Sequence, residues 1–130
     1  ETTLCALMMD LDGFKRINDT LGHAVGDEVL IRTARRIKEN VREDTVVIRW
    51  GGEEFLVVDR LPEREIGLLA ERIRAAIAAP AQPTVTVSIG LATGTSAGPD
   101  LMDVIDAADA AMYRAKASGG NRVVATRAVA

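Results

Sequence analysis

The stretch RWGGEEFLVV (49–58) places two glycines and two glutamates between two apolar runs. Both flanking runs are rich in β-branched and aromatic residues, which is typical of strands. Gly51 and Gly52 can adopt the positive φ angles of a two-residue primed turn, so the stretch predicts a tight β-hairpin. The chain must therefore build a sheet that contains an antiparallel pair. The turn does not explain Glu53 and Glu54, and a charged, solvated hairpin tip is the simplest interpretation of them.

Composition limits the kind of protein that can hold this hairpin. The chain has 130 residues with 48% hydrophobic and 27% charged content, which predicts one globular domain over 1–130. A net charge of −3 and an aromatic content of 3% argue against a nucleic-acid surface. No apolar stretch is long enough to span a membrane, and the lone Cys5 suits a reducing cytoplasm. We expect a cytoplasmic location, and a membrane anchor elsewhere in the parent protein stays open.

Hydrophobic periodicity predicts the other elements. Residues 3–9 form a continuous apolar run, consistent with a central strand that is buried on both faces. Helices are predicted at 14–21, from about 27 to 41, at 66–77 and at 101–115, strands at 84–91 and 123–126, and a loop at 93–99. This order predicts an α+β fold with one mixed, mainly antiparallel sheet covered by helices, related in plan to the ferredoxin-like motif.

Acidic residues gather at one edge of the predicted sheet. Asp10 ends the first strand, and a hairpin beside that strand would bring Glu53 and Glu54 towards it. Carboxylates packed together raise one another's pKa unless a cation intervenes, and Mg²⁺ is a hard ion that suits carboxylate and phosphate oxygens. Strand alternation aims Glu53 and Glu54 at opposite faces, so both can act only if the turn distorts. Which of the two dominates stays open.

A second group of residues suits a nucleotide. Gly13, Phe14 and Lys15 open the first helix, where backbone N–H groups without intrahelical partners and a lysine favour a phosphate. Asn18 and Asp27 become neighbours if the first two helices fold back on each other. Their oxygens could then accept hydrogen bonds from the N1–H and the N2 amine of guanine. Helix capping is the alternative interpretation of each residue taken alone.

Four blocks of sequence together resemble the GGDEF family of diguanylate cyclases, in its GGEEF variant. They are DLDGFKRINDTLGHAVGDEVL (10–30), RWGGEEF (49–55), VTVSIGLA (85–92) and DAADAAMYRAKASGGNRV (106–123). The resemblance covers essentially the whole chain in the family's order. It implies a nucleotide-cyclase-like fold that condenses two GTP molecules into cyclic di-GMP and pyrophosphate. It also implies Mg²⁺ or Mn²⁺ as the cofactor, and a homodimer in which each domain holds one GTP.

The resemblance also assigns roles to single residues. It implies metal binding by Asp10, the Leu11 carbonyl, Glu53 and Glu54. The two glutamates are the implied catalytic residues, and one of them helps to deprotonate the ribose 3′-OH. Substrate contacts are implied for Gly13, Phe14, Lys15, Asn18, Asp27, Gly51, Gly52 and Lys116. Every acidic and guanine-contacting position of the family pattern is therefore filled.

Three departures from the family pattern concern regulation and binding. The family's inhibitory site uses an Arg-x-x-Asp sequence, but here Thr45 stands at the aspartate position after Arg42, while Arg72 matches the second arginine. We expect weak or absent product inhibition at this degenerate site. Gly120 replaces an arginine that contacts phosphate, and Arg122 is a candidate substitute. The family's upstream Asp-x-Leu-Thr segment is missing, so we expect an N-terminally incomplete domain that binds GTP less well.

Three functions fit these observations. An active diguanylate cyclase is the leading hypothesis, because the acidic set is complete. The alternative is a catalytically weak or inactive module that binds GTP or cyclic di-GMP and regulates an attached sensory or phosphodiesterase domain. Thr45 and Gly120 keep that alternative open. A purely dimerising element would leave the acidic cluster unexplained.

Overall fold

Five strands and four helices lie in the described residues, 1–95 and 98–129, of the computed structural model. They are β1 (Thr3–Leu11), α1 (Phe14–Leu21), α2 (His23–Lys38), β2 (Val46–Arg49), β3 (Glu54–Leu61), α3 (Glu63–Ala78), β4 (Val87–Gly94), α4 (Leu101–Ala117) and β5 (Arg122–Arg127). This order of elements confirms the predicted one. None of these helices has the length and apolarity that a membrane span requires.

The sheet is built around β1. Its strand order is β2-β3-β1-β4-β5, with β1 antiparallel to both β3 and β4, and β5 parallel to β4. Every residue of the run Cys5–Met9 is fully buried, as expected for a strand that is covered on both faces. The mixed, mainly antiparallel sheet and the α+β class are therefore confirmed.

Helices cover the two faces of the sheet unequally. On one face, alternate residues of β1 such as Leu7 and Met9 pack with α1, α2 and α3 in the larger core. On the other face, Ala6 and Met8 pack against α4 alone in a smaller core. The carboxyl end of β1 therefore emerges between α1, the β2–β3 turn and the last turn of α4.

Two predicted boundaries were wrong. Helix α2 begins at His23 rather than near Asp27, because Gly26 lies buried inside the helix and donates its N–H to Gly22 O at 3.1 Å. Strand β4 is shifted towards the C-terminus and includes the first two residues of the predicted loop at 93–99, since it pairs with β1 as far as Gly94. Residues 96–97 of that loop lie outside the described residues.

The start of α4 agrees with the sequence. Asp100 is its N-cap, and its Oδ1 accepts a hydrogen bond from Asp103 N at 3.0 Å. Asp103 Oδ2 in turn accepts from Asp100 N at 3.2 Å, which completes a capping box. This cap fixes the start of the helix whose last turn reaches the carboxyl end of β1.

Candidate functional site

The β2–β3 hairpin forms, but its turn is wider than predicted. Strand β2 ends at Arg49 and β3 begins at Glu54, so four residues make the connection. Trp50 N donates to Glu54 O at 2.8 Å and Gly51 N donates to the same oxygen at 3.3 Å. Neither Gly51 nor Gly52 has a positive φ angle, so the predicted primed turn was wrong.

Of the two turn glycines, Gly51 is required for space and not for a positive φ angle. A Cβ on Gly51 would lie 2.5 Å from Glu54 Oε1, so Gly51 makes room for the Glu54 carboxylate. A Cβ on Gly52 would meet nothing within 4 Å, and Gly52 lines the open cleft in front of the turn. The guanidinium of Arg49 stabilises the turn by donating a hydrogen bond from Nη2 to Gly52 O at 2.6 Å.

Strand register brings the predicted acidic residues together. Asp10 and Glu54 are paired across β1 and β3, and Leu11 N donates to Glu53 O at 3.2 Å. Glu53 lies in the turn, just before β3 begins, so the alternation that would send it to the opposite face does not apply to it. An open cleft of about 450 Å³ is lined by Asp10, Leu11, Gly13, Phe14, Lys15, Gly52, Glu53, Glu54 and Lys116.

The acidic residues of this cleft repel one another. Burial raises the pKa of Glu53, and the charge of Asp10 raises it further. Burial also raises the pKa of Glu54, and the charges of Asp10 and Asp109 add to that effect. Asp109 lies on α4 and was not selected from the sequence. The prediction that these carboxylates raise one another's pKa is therefore confirmed in direction, and the cleft favours a positively charged group.

Lys116 supplies positive charge from the last turn of α4. Its Nζ lies 3.1 Å from Asp10 Oδ1, 3.2 Å from Asp12 Oδ1 and 3.4 Å from Leu11 O. Burial lowers the pKa of Lys116, but Asp10 and Asp12 outweigh burial and leave that pKa above its ordinary value. The ammonium therefore stays charged and joins α4 to the end of β1.

Asp12 is a residue that sequence reasoning passed over. Its Oδ1 accepts from Ser88 Oγ at 2.7 Å and from Lys116 Nζ at 3.2 Å. Its Oδ2 accepts from Thr86 Oγ1 at 2.8 Å and from Asn121 N at 2.9 Å. Burial raises the pKa of Asp12, but these hydrogen bonds outweigh it and lower the pKa overall. Four donors leave Asp12 little capacity for a metal, so it acts as a structural anchor.

Gly120 packs against this anchor. It has a φ angle of 74°, and a Cβ there would lie 3.0 Å from the Asp12 carboxyl group. A larger residue in the same conformation would therefore press on Asp12. Arg122, the candidate substitute for the family's arginine, donates from Nε to Gly120 O at 3.0 Å. The turn after α4 thus packs closely around the Asp12 carboxylate.

The predicted phosphate-binding residues Gly13, Phe14 and Lys15 line the acidic cleft. Gly13, with a φ angle of 69°, is the N-cap of α1 and makes no side-chain cap. Lys15 is exposed at the cleft and donates to Asp19 Oδ2 at 3.0 Å. Because no side chain caps the first turn of α1, its backbone N–H groups are not taken up by a side-chain cap and can face an anion.

Asn18 and Asp27 do not cap these helices. The N-caps of α1 and α2 are Gly13 and Gly22, neither of which uses a side-chain hydrogen bond, and Asp27 lies within α2. A Cβ on Gly26 would collide with Asn18 Oδ1. The Asn18 amide therefore lies against Gly26, the residue that precedes Asp27. The capping interpretation was wrong, and the two predicted guanine contacts lie on adjoining helices.

A second pocket lies away from the cleft. A cavity of about 140 Å³ between the α2–β2 connection, β3 and α3 is lined in part by Arg42, Thr45, Asp59 and Arg72. Arg42 Nη2 lies 2.8 Å from Asp59 Oδ1, and Thr45 Oγ1 donates to Asp59 Oδ2 at 2.7 Å. Arg72 donates to Asn40 O at 2.7 Å. Asp59 was missed from the sequence, although an acid inside an apolar strand signals a specific partner.

Comparison with known proteins agrees with this geometry. The family model described as "Diguanylate cyclase, GGDEF domain" matches residues 1–122. The response regulator PleD of Caulobacter vibrioides is 40% identical over 92% of the chain, which covers 28% of PleD. The diguanylate cyclase DgcM of Escherichia coli K12 is 43% identical over 92% of the chain, which covers 30% of DgcM. The chain thus spans less than a third of each of these relatives.

Solved structures show the same fold. The GGDEF domain of DgcB from Caulobacter crescentus, in complex with c-di-GMP, superposes with a TM-score of 0.88 at 33% identity. That match covers 95% of this chain and 78% of the DgcB chain. The active GGEEF domain of a diguanylate cyclase from Vibrio cholerae gives 0.87 at 32% identity, covering 95% of this chain and 82% of that one. This chain belongs to the GGDEF family of diguanylate cyclase domains.

Proposed function

We propose that this domain condenses two GTP molecules into cyclic di-GMP and pyrophosphate. The observation that carries the proposal is the convergence of Asp10, Glu53 and Glu54 in one cleft of a GGDEF-family chain. In the proposed reaction the ribose 3′ oxygen of one GTP attacks the α-phosphorus of the other. A new P–O bond forms, the bond to pyrophosphate breaks, and the 3′-OH loses its proton.

The donor set suits a divalent cation that is shared with substrate. In the described ranges, 1–95 and 98–129, no three His, Cys, Asp or Glu side chains are grouped to hold a metal by themselves. Mg²⁺ commonly takes one or two carboxylates and completes its shell with water and substrate phosphates. Asp10 Oδ1 and Leu11 O already converge on one positive centre, Lys116 Nζ, so a cation fits them. A bound Mg²⁺ or Mn²⁺ would neutralise phosphate charge during the transfer.

The chain's own residues would orient the nucleotide and accept a proton. Glu53 and Glu54 have raised pKa values, which makes either carboxylate a better proton acceptor for the 3′-OH. Asn18 and Asp27 present oxygen acceptors to the donor edge of guanine. The α1 turn at Gly13, together with Lys15, would hold phosphate. Positioning and charge neutralisation then supply most of the catalysis.

A turnover assay tests the proposal. Purified protein at high concentration is incubated with GTP and Mg²⁺, and cyclic di-GMP and pyrophosphate are quantified. We expect Glu54→Ala and Asp10→Ala each to lower the rate by at least about 100-fold, because each removes a proposed ligand of the cation that would neutralise the reacting phosphate. Glu39→Ala is the matched control, since Glu39 is an exposed acid at the end of α2. GTP binding without product would instead support the regulatory module.

We also propose that product inhibition through the second pocket is weak. Arg42 is engaged by Asp59 rather than by an acid at position 45, so a ligand must compete with that ion pair. We expect calorimetric titration with cyclic di-GMP to show no binding tighter than about 10 μM that depends on Arg42. Tight binding that Arg42→Ala abolishes would contradict the proposal. Arg64→Ala, which removes an exposed arginine on α3, is the control.

A further inference from the structure

The ammonium of Lys116 is bound on three sides. It has three N–H bonds and three oxygen acceptors, on Asp10, Leu11 and Asp12, all within 3.1 to 3.4 Å. The side chain is 29% exposed, so these contacts are made in a partly desolvated position. Lys116 therefore holds together two oxygens of the acidic cleft and one oxygen of the Asp12 anchor.

Two of these three acceptors belong to the proposed metal ligands. Asp10 Oδ1 and Leu11 O would both be needed by a divalent cation, which binds oxygens at about 2.0–2.1 Å when it is Mg²⁺. A dication and an ammonium crowded onto the same two oxygens repel each other strongly in a half-buried cleft. The two cations therefore cannot share this pair of oxygens.

The third acceptor offers Lys116 a second position. Asp12 is fixed by Thr86, Ser88 and Asn121 N, so its carboxylate stays in place whether or not Lys116 also contacts Asp10. A lysine side chain rotates about four carbon–carbon bonds, and its ammonium can move while it keeps one contact. Lys116 can thus leave Asp10 and Leu11 without losing its link to Asp12.

We propose that Lys116 and the divalent cation exchange at Asp10 Oδ1 and Leu11 O. Before the metal enters, Lys116 offsets the repulsion among the acidic residues. When the metal takes the two oxygens, Lys116 stays tethered to Asp12 and its released N–H bonds become available to a phosphate oxygen. This inference rests on the proposed function in one respect, namely that a divalent cation binds at Asp10.

A metal titration without nucleotide tests the exchange. Free Mn²⁺ is measured by its electron paramagnetic resonance signal as the full chain is titrated at about pH 8. We expect Lys116→Met to bind Mn²⁺ about fivefold more tightly than the unaltered chain, because the competing cation is gone. Lys15→Met is the matched control. It removes the same charge from the same cleft, but Lys15 is paired with Asp19, and we expect a change of less than about twofold.

A second readout separates competition from general damage. Without metal, Lys116→Met should melt at a lower temperature, since the acidic residues lose their neutralising contact, and Mn²⁺ should raise its melting temperature more than that of the unaltered chain. If Lys116→Met does not fold, Lys116→Gln is measured instead. Equal or weaker Mn²⁺ binding by the variant overturns the exchange alone. A failure of every variant and of the unaltered chain to bind Mn²⁺ overturns both the exchange and the metal site of the proposed function.

Discussion

Asp12, which follows β1 directly, and Asp59, which lies in β3, show how single carboxylates of this protein are used. Each accepts hydrogen bonds from a hydroxyl side chain and from a cationic side chain. A half-buried charge is tolerated when it has such partners, and removal of one partner leaves the other uncompensated. In both cases the aspartate fixes a cation beside a pocket. At the scale of residues, the candidate-site cations Lys116 and Arg42 are therefore each held by an acid that was not among the predicted site residues.

The single thiol is a contrasting case of a buried group that lies outside the candidate site. Cys5 is fully buried in β1, and burial raises its pKa to about 11. We expect a disulfide reagent to label the native chain at about pH 8 at least about 100-fold more slowly than the chain in guanidinium chloride. The comparison of the two labelling rates, followed by absorbance, checks this. Equal rates would show that Cys5 is accessible in the folded state.

The raised pKa of Cys5 also makes the stability of the fold depend on pH in the alkaline range. The folded thiol stays neutral up to about pH 11, whereas the unfolded thiol ionises near its ordinary value of 9.0. The contribution of Cys5 to the free energy of unfolding is therefore constant below about pH 9 and falls as the pH rises towards 11. Cys5→Ser is no control because it buries a hydroxyl, so Cys5→Ala is the variant for comparison.

At the scale of elements, the contact of α4 with β4 depends on small residues. A Cβ on Gly90 would collide with Ala108 O and Met112 N, so the helix backbone lies directly on the strand. Ala108, Ala111 and Ala115 are buried on the same helix and permit this approach. Because α4 carries Lys116, the distance between helix and strand also sets the position of the ammonium.

Gly90→Ala should therefore be strongly destabilising. We expect a loss of about 3 kcal/mol or more in the free energy of unfolding, since neither backbone can move away easily. Gly67→Ala is the matched control, because Gly67 is exposed in α3 and a Cβ there meets nothing within 4 Å. It should stabilise by about 0.5–1 kcal/mol. Urea denaturation of both variants measures the two changes, and a mild loss at Gly90 would contradict the close packing.

At the scale of the whole molecule, the proposed reaction requires two copies of the domain. The acidic cleft is open, and the proposed chemistry joins two GTP molecules that are held on facing domains. Encounter of two half-sites is bimolecular, so dilution must slow it. The rate should respond to protein concentration in a way that a self-sufficient active site would not show.

We expect the initial rate per domain to rise with protein concentration. At low concentration the total rate should follow the square of that concentration and then approach proportionality as dimers fill. Pyrophosphate release across a dilution series measures this at saturating GTP. A rate per domain that stays constant over the whole series would show that one copy suffices or that the dimer is already complete.

Much of the fold was predictable because it depends on local pattern. The run at residues 3–9 gave the buried strand β1, and the apolar runs around Gly51 gave the hairpin. The start of α2 was missed because Gly26 is required for close packing against Asn18 and not for a turn. Gly51 was likewise needed for space beside Glu54, and neither Gly51 nor Gly52 has a positive φ angle.

The site was predictable only in part. Strand pairing after a hairpin brings Asp10 near Glu53 and Glu54, and the sequence contains that information. The roles of Asp12 and Asp59 depend on tertiary contacts. The partners of Asp12 lie 74 to 109 positions away, and no periodicity connects them. Asp59 meets Thr45 and Arg42 only through the pairing of β2 with β3 and the loop before β2.

The anchoring of Asp12 by Asn121 has a consequence for how the chain is made. Asp10 and Asp12 leave the ribosome more than a hundred residues before Lys116 and Asn121. Until then the carboxylates at the end of β1 have no ammonium to neutralise them, and the cleft cannot take its final form. We expect the nascent domain to gain its nucleotide site in a late, single step, when the last helix and the turn after it close on the first strand.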